Sequence, residues 1–435
     1  MNMRSQKNYY NTDTTQNTKH TSESHLIGKI DVSEVGIRSK MYVGDLTGDG
    51  RMDILMVQPD GGIDNRYVPH QVQSMTAFDL DGNVLWRVGD PDPNPGGPGS
   101  DYPIQIYDID GDGYNEVLCV MEKQFLILDG QTGKTKKMFD LPNPEAHDCI
   151  IIANLTGGDR PQDIILKDRY HKLWAFDNTF NLLWSHEGNL GHFPWAFDFD
   201  EDGRDEMMAG YDFLDSDGHV LWSCQNLDEH ADCIWVGKVN EHLSDSYQIV
   251  VGGSVTVMYD RHGQELWRYS DSIESQHVSL GKFRHDTPGL QVAGLDRMIR
   301  GDENGKDALF LLDSEGREIW KEDRQTKGWL TIIETIRNWD DHDLDYILAY
   351  RRGGGVNPTL YDGYMNPVVE FPVDGYVVHA DLLNSGYEQV LIYDEQNIHI
   401  FSHKQMSLRQ FNARPLPQNK RLYSSTLYPG GEYIT

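Results

Sequence analysis

Read along its apolar positions, the chain breaks into short hydrophobic runs separated by turns rich in Asp, Asn and Gly, and nowhere sustains the 3.6-residue period of an amphipathic helix. One phrase recurs: an apolar strand ending in an acidic turn, a second apolar strand, a third closing on AFD-x-x-G or a relative of it, and a short fourth ending in LW. The first copy, from Lys40 to Gly89, reads KMYVGDLTGDGRMDILMV and SMTAFDLDGNVLWRVG, and the third reads IIIANLTGGDRPQDIILK and KLWAFDNTFNLLWSHE. The eighth, YVVHADLLNSGYEQVLIY with NIHIFS, lacks an obvious fourth strand, which LIGKIDVSEV ahead of the first copy can supply by closing a ring. Each copy lasts about 45 residues and offers four strands, the period of a propeller blade. The predicted fold is therefore all-β, an eight-bladed β-propeller of four-stranded antiparallel blades, with seven blades as the alternative count. Residues 1–25 read as a flexible N-terminal arm, 26–402 as a single propeller domain, and 403–435, rich in Pro and Tyr, as a tail wrapping the outside.

The 435 residues carry 38 Lys and Arg against 69 Asp and Glu, a formal net charge of −31. That balance argues against nucleic acid and against an anionic membrane as partners, while 10 Trp and an aromatic content of 11% supply a large core. No run of about 18 apolar residues is present, and the polar first 25 residues lack the apolar stretch of a secretory signal. Cys119, Cys149, Cys224 and Cys233 are scattered without metal or redox spacing and read as buried thiols. Together these features favour the cytoplasm. The pattern is silent on oligomeric state.

The acidic turns change the picture. Asp108, Asp110, Asp112 and Glu116 in DIDGDGYNE, and Asp198, Asp200, Asp202 and Glu206 in DFDEDGRDE, place oxygen ligands at alternate positions with Gly at the sharp bend, as in the first part of an EF-hand loop. Asp45, Asp49 and Asp53 in DLTGDGRMD form a weaker third version. The expected cofactor is calcium, pinning the turns. These loops resemble the calcium turns of FG-GAP-type propellers.

A second repeat concerns histidines just ahead of the first strand of each copy: His147, His192, His230, His277 and His379, with Trp329 in the corresponding place of the seventh. At an equivalent position in a closed ring they are expected to converge on the central funnel, where imidazoles crowd together only if a ligand, metal or proton transfer needs them. Repeat inheritance is the competing explanation. The connections between second and third strands open on the same face and add His70, Arg169, Tyr170, Arg297 and Arg351. Arginines around one mouth of an acidic protein suit a carboxylate ligand, whose two oxygens match the guanidinium fork.

The segments GHFPWAFDFDEDGRDEMMAG, EHADCIWVGKV, QHVSLGKFRHDTPGLQVAGLDR and RPLPQNKRLYSSTLYP resemble those of rhamnogalacturonan-lyase-type proteins built on a calcium-binding propeller. The likeness runs from about residue 40 onward as an order of motifs. It implies β-elimination at a uronate in an acidic, rhamnose-containing oligosaccharide: a base takes the C5 proton, an acid protonates the leaving oxygen at C4, and a cation neutralises the carboxylate. By that resemblance His230 and His277 are the leading base or metal-site candidates, with His147, His192, Tyr170 and His70 as further catalytic candidates. Arg297, Arg351 and Arg169 are expected to hold the carboxylate, with Trp329 and His379 as further substrate contacts. A non-catalytic carbohydrate- or protein-binding propeller is the rival reading, and a hydrolase using two carboxylates is a third.

Overall fold

The computed structural model describes residues 22–60, 70–95, 103–243, 246–299, 306–323, 331–351, 355–411, 413, 421, 423–425 and 430–434. Their strands form five four-stranded sheets, one of five strands and one of nine. The nine-stranded sheet is two antiparallel units, one from Lys40–Gly44 to Val84–Val88 and one from Ile104–Tyr107 to Thr135–Asp140, joined by a parallel contact of Val72 with Met121. The described residues therefore hold eight four-stranded meanders in chain order. In the eighth, His25–Asp31 supplies the outer strand by pairing with Asn397–Ser402, as the sequence suggested.

The first three strands of most units are buried on both faces, because each unit is sandwiched between its neighbours, and so they read as continuous apolar runs. The fourth strands are largely exposed. In the first seven units the fourth strand bulges one residue after its start, and the next residue is usually a Trp that reaches the following unit. Trp86, Trp184, Trp222, Trp267 and Trp320 each donate their indole N–H to a turn carbonyl of the next unit, Gly130, Ser216, Arg261, Ser314 and Gly363 respectively. The turns they cover need glycine: Gly218 and Gly263 sit at φ 85° and 81°, and an added Cβ would lie 2.6 Å from the indole atoms.

A second repeated tie closes the series. The backbone N–H just ahead of the second strand donates to the preceding unit from Asp205 to Asn154, Leu290 to Val239, Asp345 to Lys282 and Glu388 to Asn338. The same bond runs from Met52 of the first unit to Leu382 of the eighth, at 2.9 Å. From the second unit to the seventh, first strands of successive units lie side by side, and Tyr376–Ala380 of the eighth lies against Lys40–Gly44 of the first.

The tail takes a path the sequence did not suggest. Leu408 packs against the outer strand His25–Asp31 as expected of a wrapping tail, but Tyr423–Ser424 pairs antiparallel with the first strand of the first unit, and Gly431–Tyr433 pairs parallel with the first strand of the fifth. It occupies the inner edges of those strands. Tyr433 donates its hydroxyl to Asp345 at 2.6 Å, and Arg337 lies over the Tyr433 ring at 4.3 Å while donating to the Ile434 carbonyl.

Candidate functional site

In an antiparallel meander the start of the first strand, the connection between second and third strands and the end of the fourth all fall at one end, opposite the acidic turns. At that end of the third and fourth units three segments meet: 168–171, 187–192 and 224–232. Hydrogen bonds lock them together: Leu190 N–H donates to the Tyr170 carbonyl, His192 N–H to the Ala231 carbonyl and the Asn189 side-chain amide to the Glu229 carbonyl. Gly191 makes this approach possible: its φ is 63°, and a Cβ there would meet the Ala231 oxygen at 2.3 Å.

The result is a compact cluster. His192 and His230 face each other through Nε2 at 3.1 Å, and Asp232 Oδ1 lies 3.7 Å from the first and 3.5 Å from the second. The Tyr170 ring packs against both imidazoles, its centroid 5.4 Å from His192 and 4.9 Å from His230. His192 and Asp232 are buried, whereas the His230 side chain is 29% exposed and opens onto a cavity of about 440 Å³ lined by Tyr170, His171, Gly188, Asn189, Glu229 and His230. Burial pushes the Asp232 carboxyl above its ordinary range, and His230 and Arg297 pull it part of the way back. Burial likewise raises the Tyr170 phenol, with Arg169 opposing. Two imidazole nitrogens at 3.1 Å cannot both carry protons, so the pair shares one proton or faces a cation. One donor atom from each of His192, His230 and Asp232 falls within 4.8 Å of the others.

The remaining sequence candidates are placed elsewhere, because the five histidines are not equivalent. His192 and His230 precede the strands Trp195–Phe197 and Cys233–Gly237 by three residues, and His147 precedes Cys149–Ala153 by two. His277 opens its strand, and His379 is the fourth residue of Tyr376–Ala380. That offset buries His379 within its sheet, where Nε2 lies 3.2 Å from Glu334 and Nδ1 bonds Glu388, so its imidazole already serves as a counter-ion. His147, His277 and His70 are buried and do not line the cavity, and His70 Nδ1 contacts Asp60 at 3.1 Å. Arg297 is paired with Glu274, and Arg169 with Asp148 at 2.8 Å. Arg351 ends the strand Tyr346–Arg351, half-buried. Trp329 lies outside the described residues. Asp232 was missed by the sequence reading, although a carboxylate two residues after a histidine in EHADC is a recognisable signal.

At the opposite end, Asp108, Asp110 and Glu116 converge in the second unit and Asp198, Asp200 and Glu206 in the fourth. In the first unit the Asp45 carboxylate accepts the N–H groups of Gly48, Asp49 and Gly50, Asp53 accepts those of Leu46 and Thr47, and Asp49 pairs with Arg51. That turn is satisfied by its own chain.

No family model matches the chain. It is 24% identical over 377 residues to rhamnogalacturonan exolyase YesX of Bacillus subtilis (strain 168), covering 70% of this chain. It spans 59% of the length of that relative. The crystal structure of exotype rhamnogalacturonan lyase YesX superposes with a TM-score of 0.66 at 18% identity, over 90% of this chain and 77% of that one. Rhamnogalacturonan lyase YesW gives 0.62 at 19% identity over 85% and 72%, and a Bacillus licheniformis rhamnogalacturonan lyase gives 0.62 at 17% over 86% and 73%. The resemblance carried by the order of motifs is thus a likeness, in sequence and in fold, to rhamnogalacturonan lyases.

Proposed function

We propose that the eight meanders are the blades of a closed eight-bladed β-propeller, and that the cleft between its third and fourth blades is the active site of a lyase. The reaction is β-elimination at a uronate of a rhamnogalacturonan-like oligosaccharide. The observation that carries this reading is the contact of Tyr170, His192 and His230 beside an open cavity. His230, the exposed member, takes the C5 proton, while His192 and Asp232 behind it orient the ring and stabilise the imidazolium. The C4–O bond breaks as the C4–C5 double bond forms. Tyr170, kept protonated by burial, supplies the proton to the leaving oxygen.

A second arrangement is favoured by the three donor atoms of His192, His230 and Asp232 lying so close together. A divalent cation held there supplies neutralisation of the uronate carboxylate, which acidifies the C5 proton. At the far end of the blades, Asp198, Asp200 and Glu206 fit a structural calcium ion, with hard oxygen donors and a Gly bend.

The test is ultraviolet absorbance of the conjugated product, with rhamnogalacturonan oligosaccharides, in calcium and after exhaustive chelation. A rise that His230→Ala reduces at least about 1,000-fold supports the lyase, and metal analysis of that variant separates a lost ligand from a lost base. A folded protein that binds the oligosaccharide without any rise supports the binding propeller instead.

A further inference from the structure

Behind the cleft lies a group of charges that the reaction does not use directly. Asp148 and Lys167 are completely buried and Arg169 is 5% exposed. The Lys167 ammonium bonds the Asp148 carboxylate and also donates to the carbonyls of Asp168, at 2.8 Å, and Arg169, at 2.6 Å. Arg169 donates from Nη1 to the other Asp148 oxygen at 2.8 Å, and its guanidinium lies 5.3 Å from the centroid of the Tyr170 ring. The Asp148 N–H in turn donates to the Lys167 carbonyl at 2.9 Å, so the carboxylate is fixed to the end of the strand it serves.

A buried ionic group of this kind is a poor way to gain stability, because desolvating three charges offsets most of their attraction. What it does supply is direction. Lys167 ends the strand Asp163–Lys167, and the connection 168–171 leaves it toward the cleft. One carboxylate collects the cation that ends the strand and the arginine of the connection, and the ammonium collects two carbonyls of the connection. The backbone that presents Tyr170 to His192 and His230 is thereby held from below.

We propose that Asp148 is a positioning residue of this site: through Lys167 and Arg169 it sets the connection 168–171, and with it the place of the Tyr170 hydroxyl against the two imidazoles. The inference rests on Tyr170 being the proton donor of the proposed reaction, but its geometric content stands apart from that role. A misplacement of about 1 Å in a proton-transferring group costs on the order of 100-fold in rate.

Asp148→Asn is expected to lower kcat about 100-fold while KM changes less than about threefold. Asp163→Asn is the control: this buried carboxylate of the same unit bonds only the Thr156 turn at the far end, and its loss should lower thermal stability and leave kcat within about twofold. A second reading is independent of turnover. With 3-fluorotyrosine incorporated and the Tyr170 signal assigned by Tyr170→Phe, the fluorine resonance should shift and broaden in Asp148→Asn but not in Asp163→Asn. If Asp148→Asn does not fold, Arg169→Lys replaces it, since it keeps the charge and removes the fork, and the same displacement of the resonance is expected. An unmoved Tyr170 resonance, or a kcat loss no larger than that of the control, overturns the proposal. A moved resonance in a protein that eliminates no uronate leaves the positioning role intact and sinks the lyase reading alone.

Discussion

The acidic turns of the second and fourth units share one motif and have different partners. In the second, Lys136 brings its ammonium 2.7 Å from Asp110, 3.2 Å from Asp112 and 2.7 Å from Glu116, so a cation from the protein itself sits among the carboxylates. In the fourth, the carboxylates are bonded only to backbone N–H groups: Asp198 accepts those of Asp202 and Gly203, and Glu206 accepts that of Phe199 at 2.9 Å. The two glutamates register the difference. Burial and the neighbouring aspartates push Glu206 up to about 7, whereas Lys136 opposes the rise at Glu116. The cause lies in the bulge of the fourth strand. Pairing jumps from Leu128 with Thr135 to Ile127 with Lys137, leaving Lys136 as the extra residue, and from Leu214 with Val220 to Phe213 with Trp222, leaving Leu221. In the other bulged units that place is held by Leu85, Leu183, Leu266, Ile319 and Val368. A single lysine in an otherwise apolar slot thus gives the second turn a cation of its own.

That comparison can be pressed hardest by removing the lysine. Lys136→Leu should lower the melting temperature by about 5 °C in chelator, since three neighbouring carboxylates lose their counter-charge, and calcium should restore most of it. Titration calorimetry should then count one calcium more than in the parent; an unchanged count would break the equivalence of the two turns. The complementary change, Asp198→Asn, is expected to remove the calcium-dependent rise in melting temperature, about 3 °C, while leaving the calcium-free protein unaffected or slightly steadier. A calcium response that survives it would place the ion elsewhere.

The smallest effect comes from a protein cation whose charge is lost on the alkaline side of neutrality. His379 between Glu334 and Glu388 has its imidazole pushed up from 6.5 to about 9 by the two carboxylates, against its burial. A raised histidine contributes stability in full below about 6.5 and loses it as pH climbs through about 9. The parent should therefore be more stable than His379→Gln by urea denaturation at pH 6.5, and the gap should narrow by pH 9.5. A gap independent of pH would show that packing alone holds the triad.

How much of this was legible in the sequence follows from the range of each interaction. The four-strand phrase and the acidic turns could be read because their partners sit within one repeat, as do Asp198 and Glu206. The closing strand His25–Asp31 was legible because the eighth copy lacked one. Lys136 was not, because it lies 20 residues beyond Glu116, on a strand whose bulge alone turns it toward the turn. The histidine ring failed for a related reason: a slip of six residues along the strand separates His379, in the interior, from His192 and His230, which share one offset and do meet. Asp148 was not legible because its partners Lys167 and Arg169 lie 19 and 21 residues further on.

The inward path of the tail bears on how the molecule is assembled in time. Ser425 donates to and accepts from the backbone of Met41 across 384 positions of chain, and Tyr433 completes the fifth unit long after its own strands have been made. Contacts of such separation are slow to form, since the loop they close spans 384 positions. These strand edges can be covered only after all eight units have been synthesised, so a chain that lacks Tyr423–Ser424 and Gly431–Tyr433 carries them open on its first and fifth units. Those edges are unpaired strands while they wait, and an unpaired strand edge is where a second copy of this acidic chain can pair.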